Sequence, residues 1–160
     1  MIARAASEIR ALLERTGTIA MVGASDNALR PSYTVFSYLR TQTPYRVTPI
    51  NPKLESIDGV TAFPTLAAYA AENGPPDVVD VFRRPSDAVS VVDDAIAAGA
   101  RAIWFQYGVV NEEAIARADG AGLTVVVDRC IKVEYARWCG GLAAGGLNSG
   151  VITSRRRLTH

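Results

Sequence analysis

Histidine is almost missing from this chain: the single one, His160, is the last of 160 residues. A phosphohistidine intermediate and a Ser/His/Asp set both need an imidazole held in a defined place, so a lone terminal histidine removes both mechanisms from consideration. Cysteine is nearly as scarce. Cys130 and Cys139 are the only two; they make no C-x-x-C pair, which suits a reducing cytosol and supplies no ligand set for a structural zinc. Neither sign of charge dominates, with 17 Lys plus Arg against 16 Asp plus Glu, so the broad positive field that nucleic-acid binding needs is lacking. No stretch reaches the ~20 apolar residues of a membrane span. Residues 1–17 carry Arg4, Arg10 and Arg15 with two glutamates and so lack the uncharged core of a secretory signal. These absences leave the expectation of a cytoplasmic protein with no nucleic-acid and no membrane partner.

What the chain has is a strand-and-helix alternation. Its length fits one domain, 1–160, able to bury roughly two-thirds of its unfolded surface. Residues 1–17, with Ile2, Ile9, Leu12 and Leu13 on one face, read as a docking helix closed by Gly17. The last part, 139–160, is glycine-rich (GGLAAGGLNSG) and ends in Arg155, Arg156 and Arg157, the pattern of a flexible tail. Between them, short apolar runs predict strands at 19–22, 46–50, 59–63, 78–82, 102–105 and 123–127. Helices are predicted over 32–40, with Ser32 as N-cap and Val35, Phe36 and Leu39 inward; over 66–71; over 86–98, with Val89, Val92 and Ile96 inward; and over 111–118, with Asn111 as N-cap. Apolar strands joined by helices through short connections imply a Rossmann-like, doubly wound α/β fold, mainly parallel, in three α/β/α layers.

The chain is organised around TIAMVGASDNALRPS, residues 18–32. A buried strand stops at Gly23, passes Ala24 and Ser25, and leads to a helix start near Arg30, Pro31 and Ser32. Free N–H groups and the helix dipole make such a place attractive to phosphate. The second and third glycines of G-x-G-x-x-G are missing, so the dinucleotide fingerprint is incomplete.

Ligands of open parallel sheets sit beyond the carboxyl ends of the strands. Five cations fall at those ends, Lys53, Arg83, Arg84, Arg129 and Lys132, with Asp128 the only acid among them. A neutral chain that gathers positive charge on one rim points to a small polyanion. At the second strand end, NAD binders place an acid for the ribose hydroxyls, whereas this chain has Asn51, Pro52 and Lys53. A lysine there attracts a ribose phosphate, which leaves NADP and coenzyme A as the main candidates.

The segments VGAS, RPSY, PINPK, VDVFRRP, WFQYGVVNEEA and DRCIKVE, in that order, resemble the small single-domain coenzyme A-binding proteins of bacteria. These are similar to the nucleotide-binding domain of the succinyl-CoA synthetase alpha subunit. The likeness runs from about Gly17 to Trp138, and GLNSGVITSRRR resembles the family's ending. It implies that Gly23, Ala24 and Ser25 hold a pyrophosphate, with Arg30, Pro31 and Ser32 closing over it. It implies Lys53 on the ribose 3′-phosphate and Asn51 and Pro52 around the adenosine. Phe82, Arg83 and Arg84 would lie along the adenine or phosphate chain, and Gln106 and Gly108 would face the pantetheine arm. Adjacent arginines leaving a strand point opposite ways, so one of Arg83 and Arg84 is expected on the ligand, not both. Where the family's lysine-valine-glutamate-histidine is expected, Tyr135 replaces the histidine.

The expected role is binding of coenzyme A or acyl-CoA by a non-catalytic carrier or regulatory module, which could serve a protein partner or act as a homodimer. The competing reading is an NADP-dependent oxidoreductase, with Tyr33, Tyr107 or Tyr135 as proton donor. The paired acids Asp93-Asp94 and Glu112-Glu113 read as solvated helix faces. Cys130 is the one thiol candidate: flanking cations would favour thiolate and a mixed disulfide with the coenzyme, against the alternative of a buried, inert cysteine.

Overall fold

The computed structural model describes residues 1–140, so the expectations for the rest of the tail and for His160 lie outside the described residues. In chain order the elements are α1 (Ala6–Arg15), β1 (Thr18–Val22), α2 (Pro31–Gln42), β2 (Arg46–Ile50), β3 (Ser56–Ile57), β4 (Val60–Thr61), α3 (Leu66–Asn73), β5 (Val78–Val81), a 3-10 turn (Pro85–Asp87), α4 (Ala88–Ala97), β6 (Ala102–Phe105), α5 (Glu112–Gly120), β7 (Thr124–Val127) and α6 (Ile131–Trp138). Five strands form one parallel sheet in the order β2-β1-β5-β6-β7. The chain runs outward from β1 to β2 and then returns to the other side of β1, so the strand order reverses between β1 and β5. That reversal opens a crevice at the carboxyl ends.

Period-two alternation divides each strand between two helix layers. Ile19 and Met21 of β1 face the layer of α1, α2 and α6, packed with Leu13, Phe36, Leu39 and Ile131. Ala20, between them, faces the layer of α3, α4 and α5, with Leu66, Val92 and Ala114. Phe36, Leu39 and Ile131 are fully buried, each such side chain adding about 1.5–3 kcal/mol of apolar transfer. The three-layer α/β/α architecture is the one the sequence predicts.

The differences are local. The predicted third strand, 59–63, is instead split: β3 and β4 form a separate antiparallel hairpin. Its turn residues Asp58 and Gly59 both have positive φ, 49° and 78°, the geometry of a tight two-residue hairpin. Phe63 bridges β2 at Ile50 without extending a strand. Pro49 is tolerated because β2 is the sheet's edge. In α2 the N-cap is Arg30, with no side-chain cap bond, rather than Ser32. The inward face of α4 is Ala88, Val91, Val92 and Ala95, with Val89 half-buried at its border; of the three residues predicted inward, Ile96 is exposed. Residues before Ala6 are not helical. Ile2 bridges Val125 in parallel, with N–H···O bonds of 2.8 Å from Ala3 to Val125 and from Val125 to Met1, covering the outer edge of β7.

Candidate functional site

The turn after β1 is stitched to both neighbouring strands. The Gly23 N–H donates to the Ile50 carbonyl at the end of β2 (3.2 Å), and the Phe82 N–H at the end of β5 donates to the Val22 carbonyl (2.9 Å). Gly23 has φ of 84°, a conformation glycine takes at no steric cost. Its backbone lies so close to Phe82 that a side chain would overlap the Phe82 carbonyl.

Asn51 braces the same turn from the β2 side. Its Nδ2 donates to the Ala24 carbonyl (2.8 Å) and its Oδ1 accepts from the Lys53 N–H (2.7 Å). Both ends of this amide are therefore spent on backbone, so Asn51 shapes the crevice by holding Ala24 and Lys53 in place. Beyond Ala24, Ser25 Oγ accepts from the Asn27 N–H (3.1 Å), and Asn27 Oδ1 accepts from the Leu29 N–H (2.9 Å). These two local bonds fold the loop into successive turns that deliver the chain to α2. Pro31 is the first helical residue and has no N–H; the Tyr33 N–H donates to the Arg30 carbonyl (3.1 Å), which leaves the Ser32 N–H without an intrahelical partner at this end of the helix.

A cleft of about 910 Å³ opens at this point, the size range of small-molecule and cofactor sites. Gly23, Ala24 and Ser25 line it, with Arg30, Pro31 and Ser32 at the start of α2. Asn51, Pro52 and Lys53 contribute from β2, Phe82 and Arg83 from β5, and Gln106 and Cys130 from the far side. Two of the predicted ligand residues stand outside it. Arg84 does not line the cleft; it is 79 % exposed and bonded to Asp87 at 3.2 Å. Arg83, 44 % exposed, reaches the same Asp87 oxygen at 3.2 Å but borders the cleft, so the two guanidiniums converge on one carboxylate and do not point opposite ways, while only Arg83 joins the lining. Gly108 is also outside: its N–H donates to Asp128 Oδ1 (2.8 Å), which closes the β6 loop onto the β7 loop.

The rim is less cationic than the strand ends imply, because Arg129 points elsewhere. Its guanidinium meets the buried Glu134 of α6 (3.3 Å), and Glu134 also takes the Trp138 indole N–H (2.8 Å). Arg30, Lys53, Arg83 and Lys132 remain on the lining against one carboxylate, Asp94. Tyr107, a candidate donor of the competing reading, lines the cleft too; Leu29, Thr34, Pro64 and Val109 also line it and were missed, since loop residues and a first-turn threonine give no periodic signal. Leu29, 92 % exposed at the mouth, is the one a sequence reading could have found, as an apolar residue inside a polar loop.

Behind Gln106, which lines the cleft, lies a buried acid. Asp80, in register with Met21 and Trp104 at the centre of the sheet, is fully buried. Its Oδ1 accepts from Gln106 Nε2, and its Oδ2 has no hydrogen-bond partner among the described residues. Burial pushes its carboxyl up to about 7, with the Gln106 bond opposing. Cys130 is 4 % exposed, and its thiol is raised first by burial, with the Asp80 charge adding to it and the Lys132 charge counting least. The thiolate expected from the flanking cations is thus not what the site favours: desolvation outweighs them, and Arg129 is turned to Glu134.

The tyrosines required by an oxidoreductase are mostly committed elsewhere. Tyr33 donates its hydroxyl to Asp58 (2.8 Å), tying α2 to the β3–β4 hairpin. Tyr135 packs edge-on against Tyr38 and Tyr45, with ring centroids 6.4 and 5.3 Å away. Of the three, Tyr107 alone borders the cleft. Asp93 and Glu113 both pair with Arg117, at 2.9 and 3.2 Å, across the α4–α5 surface. No group of three or more metal-ligating side chains occurs among the described residues, and none of the described helices is long and apolar enough to cross a membrane.

Comparison with known proteins agrees with this geometry. The uncharacterized protein YneT of Bacillus subtilis (strain 168) is 37 % identical over 130 residues, covering 81 % of this chain and 93 % of YneT. The structure of a hypothetical protein from Pyrococcus horikoshii OT3 superposes with a TM-score of 0.78 at 36 % identity, covering 86 % of this chain and 94 % of that one. A more distant likeness, TM-score 0.59 at 25 % identity, is to acetyl-coenzyme A synthetase 1 of Ca. Korarchaeum cryptofilum, where 68 % of this chain corresponds to 25 % of that one. Residues 17–136, from the turn before β1 into α6, match the family of CoA binding domains, and the chain belongs to that family.

Proposed function

We propose that the chain binds coenzyme A or an acyl-CoA across the carboxyl ends of β2, β1, β5 and β6, with 1–160 as one domain, and serves as a carrier or regulatory module without chemistry of its own. The observation that carries this reading is Lys53. It lies on the cleft at the end of β2, where an NAD site needs a carboxylate to accept from the ribose hydroxyls, and an ammonium instead favours a ribose phosphate. The rest of the cleft suits the same ligand. The N–H groups of Ala24 and Ser25 and that of Ser32 at the start of α2 are placed for a pyrophosphate, Arg30 and Arg83 add charge beside it, and Pro52 shapes the adenosine end. A linear arm leaving the pyrophosphate then meets Gln106 and Cys130.

The test is thermal stabilisation by coenzyme A, acetyl-CoA, 3′-dephospho-CoA and NADP at equal excess. A ligand at ~100 times its Kd adds about 2.7 kcal/mol. Stabilisation by coenzyme A that falls on removal of the 3′-phosphate is expected. A response to NADP and none to coenzyme A would reverse the reading in favour of an NADP-dependent oxidoreductase, with Tyr107 as the donor to examine.

A further inference from the structure

Asp80 is expensive to bury and belongs to none of the ligand-contacting sets above. An unpaired carboxyl in the centre of a parallel sheet costs several kcal/mol unless something compensates it, and its neighbours in register, Met21 and Trp104, offer no partner. Among the described residues, the one group that answers it is the Gln106 amide. Gln106 is itself 4 % exposed and lines the cleft.

The chemistry of that contact fixes which end of the amide faces where. The NH2 end of Gln106 faces Asp80 and donates to Oδ1, an oxygen that accepts whether the unpartnered Oδ2 is ionised or carries a proton. The carbonyl oxygen Oε1 is left on the other side, with no hydrogen bond among the described residues and not among the buried unsatisfied atoms. It is therefore open to the cleft. Without Asp80 the amide could turn over and offer N–H instead, and the cleft would not discriminate.

We propose that Asp80 is a positioning residue that holds the Gln106 carbonyl toward the cleft, so that the site selects a ligand arm carrying a hydrogen-bond donor at that depth. This rests on the coenzyme A reading, in which the donor is an amide N–H or the terminal S–H of the pantetheine arm. A ligand without the arm has nothing to gain from Asp80.

The experiment measures Kd by titration calorimetry for coenzyme A, acetyl-CoA and adenosine 3′,5′-bisphosphate, which lacks the arm. It uses the wild type, Asp80→Leu, Asp80→Asn, Gln106→Leu and the double variant Asp80→Leu/Gln106→Leu. Asp80→Leu is expected to weaken coenzyme A about tenfold, the scale of one buried hydrogen bond, and to leave the bisphosphate within twofold. Asp80→Asn, which keeps an oxygen to accept from Nε2, should recover most of the loss. Adding Asp80→Leu to Gln106→Leu should cost nothing further, because the two act through one contact. If acetyl-CoA loses affinity as coenzyme A does, the donor is an amide; if acetyl-CoA is indifferent to Asp80, the donor is the thiol. Equal losses for coenzyme A and the bisphosphate, or additive losses in the double variant, would overturn the positioning role alone. A wild type that binds neither compound would overturn the coenzyme A reading and this inference with it. Should Asp80→Leu fail to fold, the Asn variant and Gln106→Leu still decide: unchanged coenzyme A affinity in Gln106→Leu overturns the proposal.

Discussion

A β-carbon placed on Gly23 would lie 2.2 Å from the carbonyl oxygen of Phe82. The two residues end adjacent strands at the point where strand order reverses, and their backbones are in contact with nothing between them. Gly23→Ala therefore meets two penalties: a positive φ that alanine takes at a cost of about 1–2 kcal/mol, and a backbone overlap that only separation of the strand ends relieves. Chemical denaturation should show a loss of about 2–4 kcal/mol, and coenzyme A should cease to stabilise the remaining folded protein. Wild-type stability in this variant would mean that the strand ends are looser than described.

Lys53→Ala tests the other end of the cleft. Hydrogen bonds to a charged group are worth about 1.5–3 kcal/mol, so affinity for coenzyme A should fall roughly tenfold to a hundredfold by calorimetry. Affinity for 3′-dephospho-CoA should stay within about twofold. A parallel fall for both ligands would place the lysine away from the 3′-phosphate.

The neighbouring arginines should separate cleanly. Arg83 borders the cleft and Arg84 does not, although both reach Asp87. Arg83→Ala is expected to weaken coenzyme A binding about tenfold and to flatten its salt dependence, whereas Arg84→Ala should change neither by more than about twofold. Equal effects would mean that the arginines act through Asp87 instead of on the ligand.

Asp80 gives the protein a pH dependence of known sign. Its folded carboxyl is raised to about 7 from a reference of 3.8, so between those values the folded state holds a proton that the unfolded state has lost. Stability is then fully present below about pH 4 and declines as pH rises toward 7, by at most about 4 kcal/mol. Asp80→Asn cannot titrate and should lack this decline. Urea denaturation at pH 5 and pH 8 measures it: the wild type should lose more stability over that interval than the variant, and identical losses would remove Asp80 as the cause.

Much of the scaffold is legible because its signals are local. β2 and β6 fall at the predicted bounds, being apolar runs bordered by turn residues, and Asn111 caps α5 through its bond to Ala114 (3.0 Å). The helix 131–138 went unread because its sequence, IKVEYARW, hides an amphipathic pattern: Glu134 is buried among Arg129, Arg137 and Trp138, so a core position carries a charge. That omission also explains the overcounted rim, since Arg129 is drawn off by the helix that was not foreseen. The site was legible where backbone geometry dictates it, at Gly23 and at the strand ends. It was not legible where long-range pairing decides, as with Asp80 and Gln106, which meet across 26 positions of sequence.

The strand order has one more effect, on when the cleft can exist. Its walls are drawn from Val22 through Lys132, and β1 and β5 become neighbours only after an excursion to the sheet's edge. The wall at Lys132 is supplied by α6, so a ribosome-bound chain lacks that side of the cleft until α6 has emerged from the exit tunnel. Ligand capture thus reports completed folding: a nascent or truncated chain ending before α6 should leave coenzyme A free in solution.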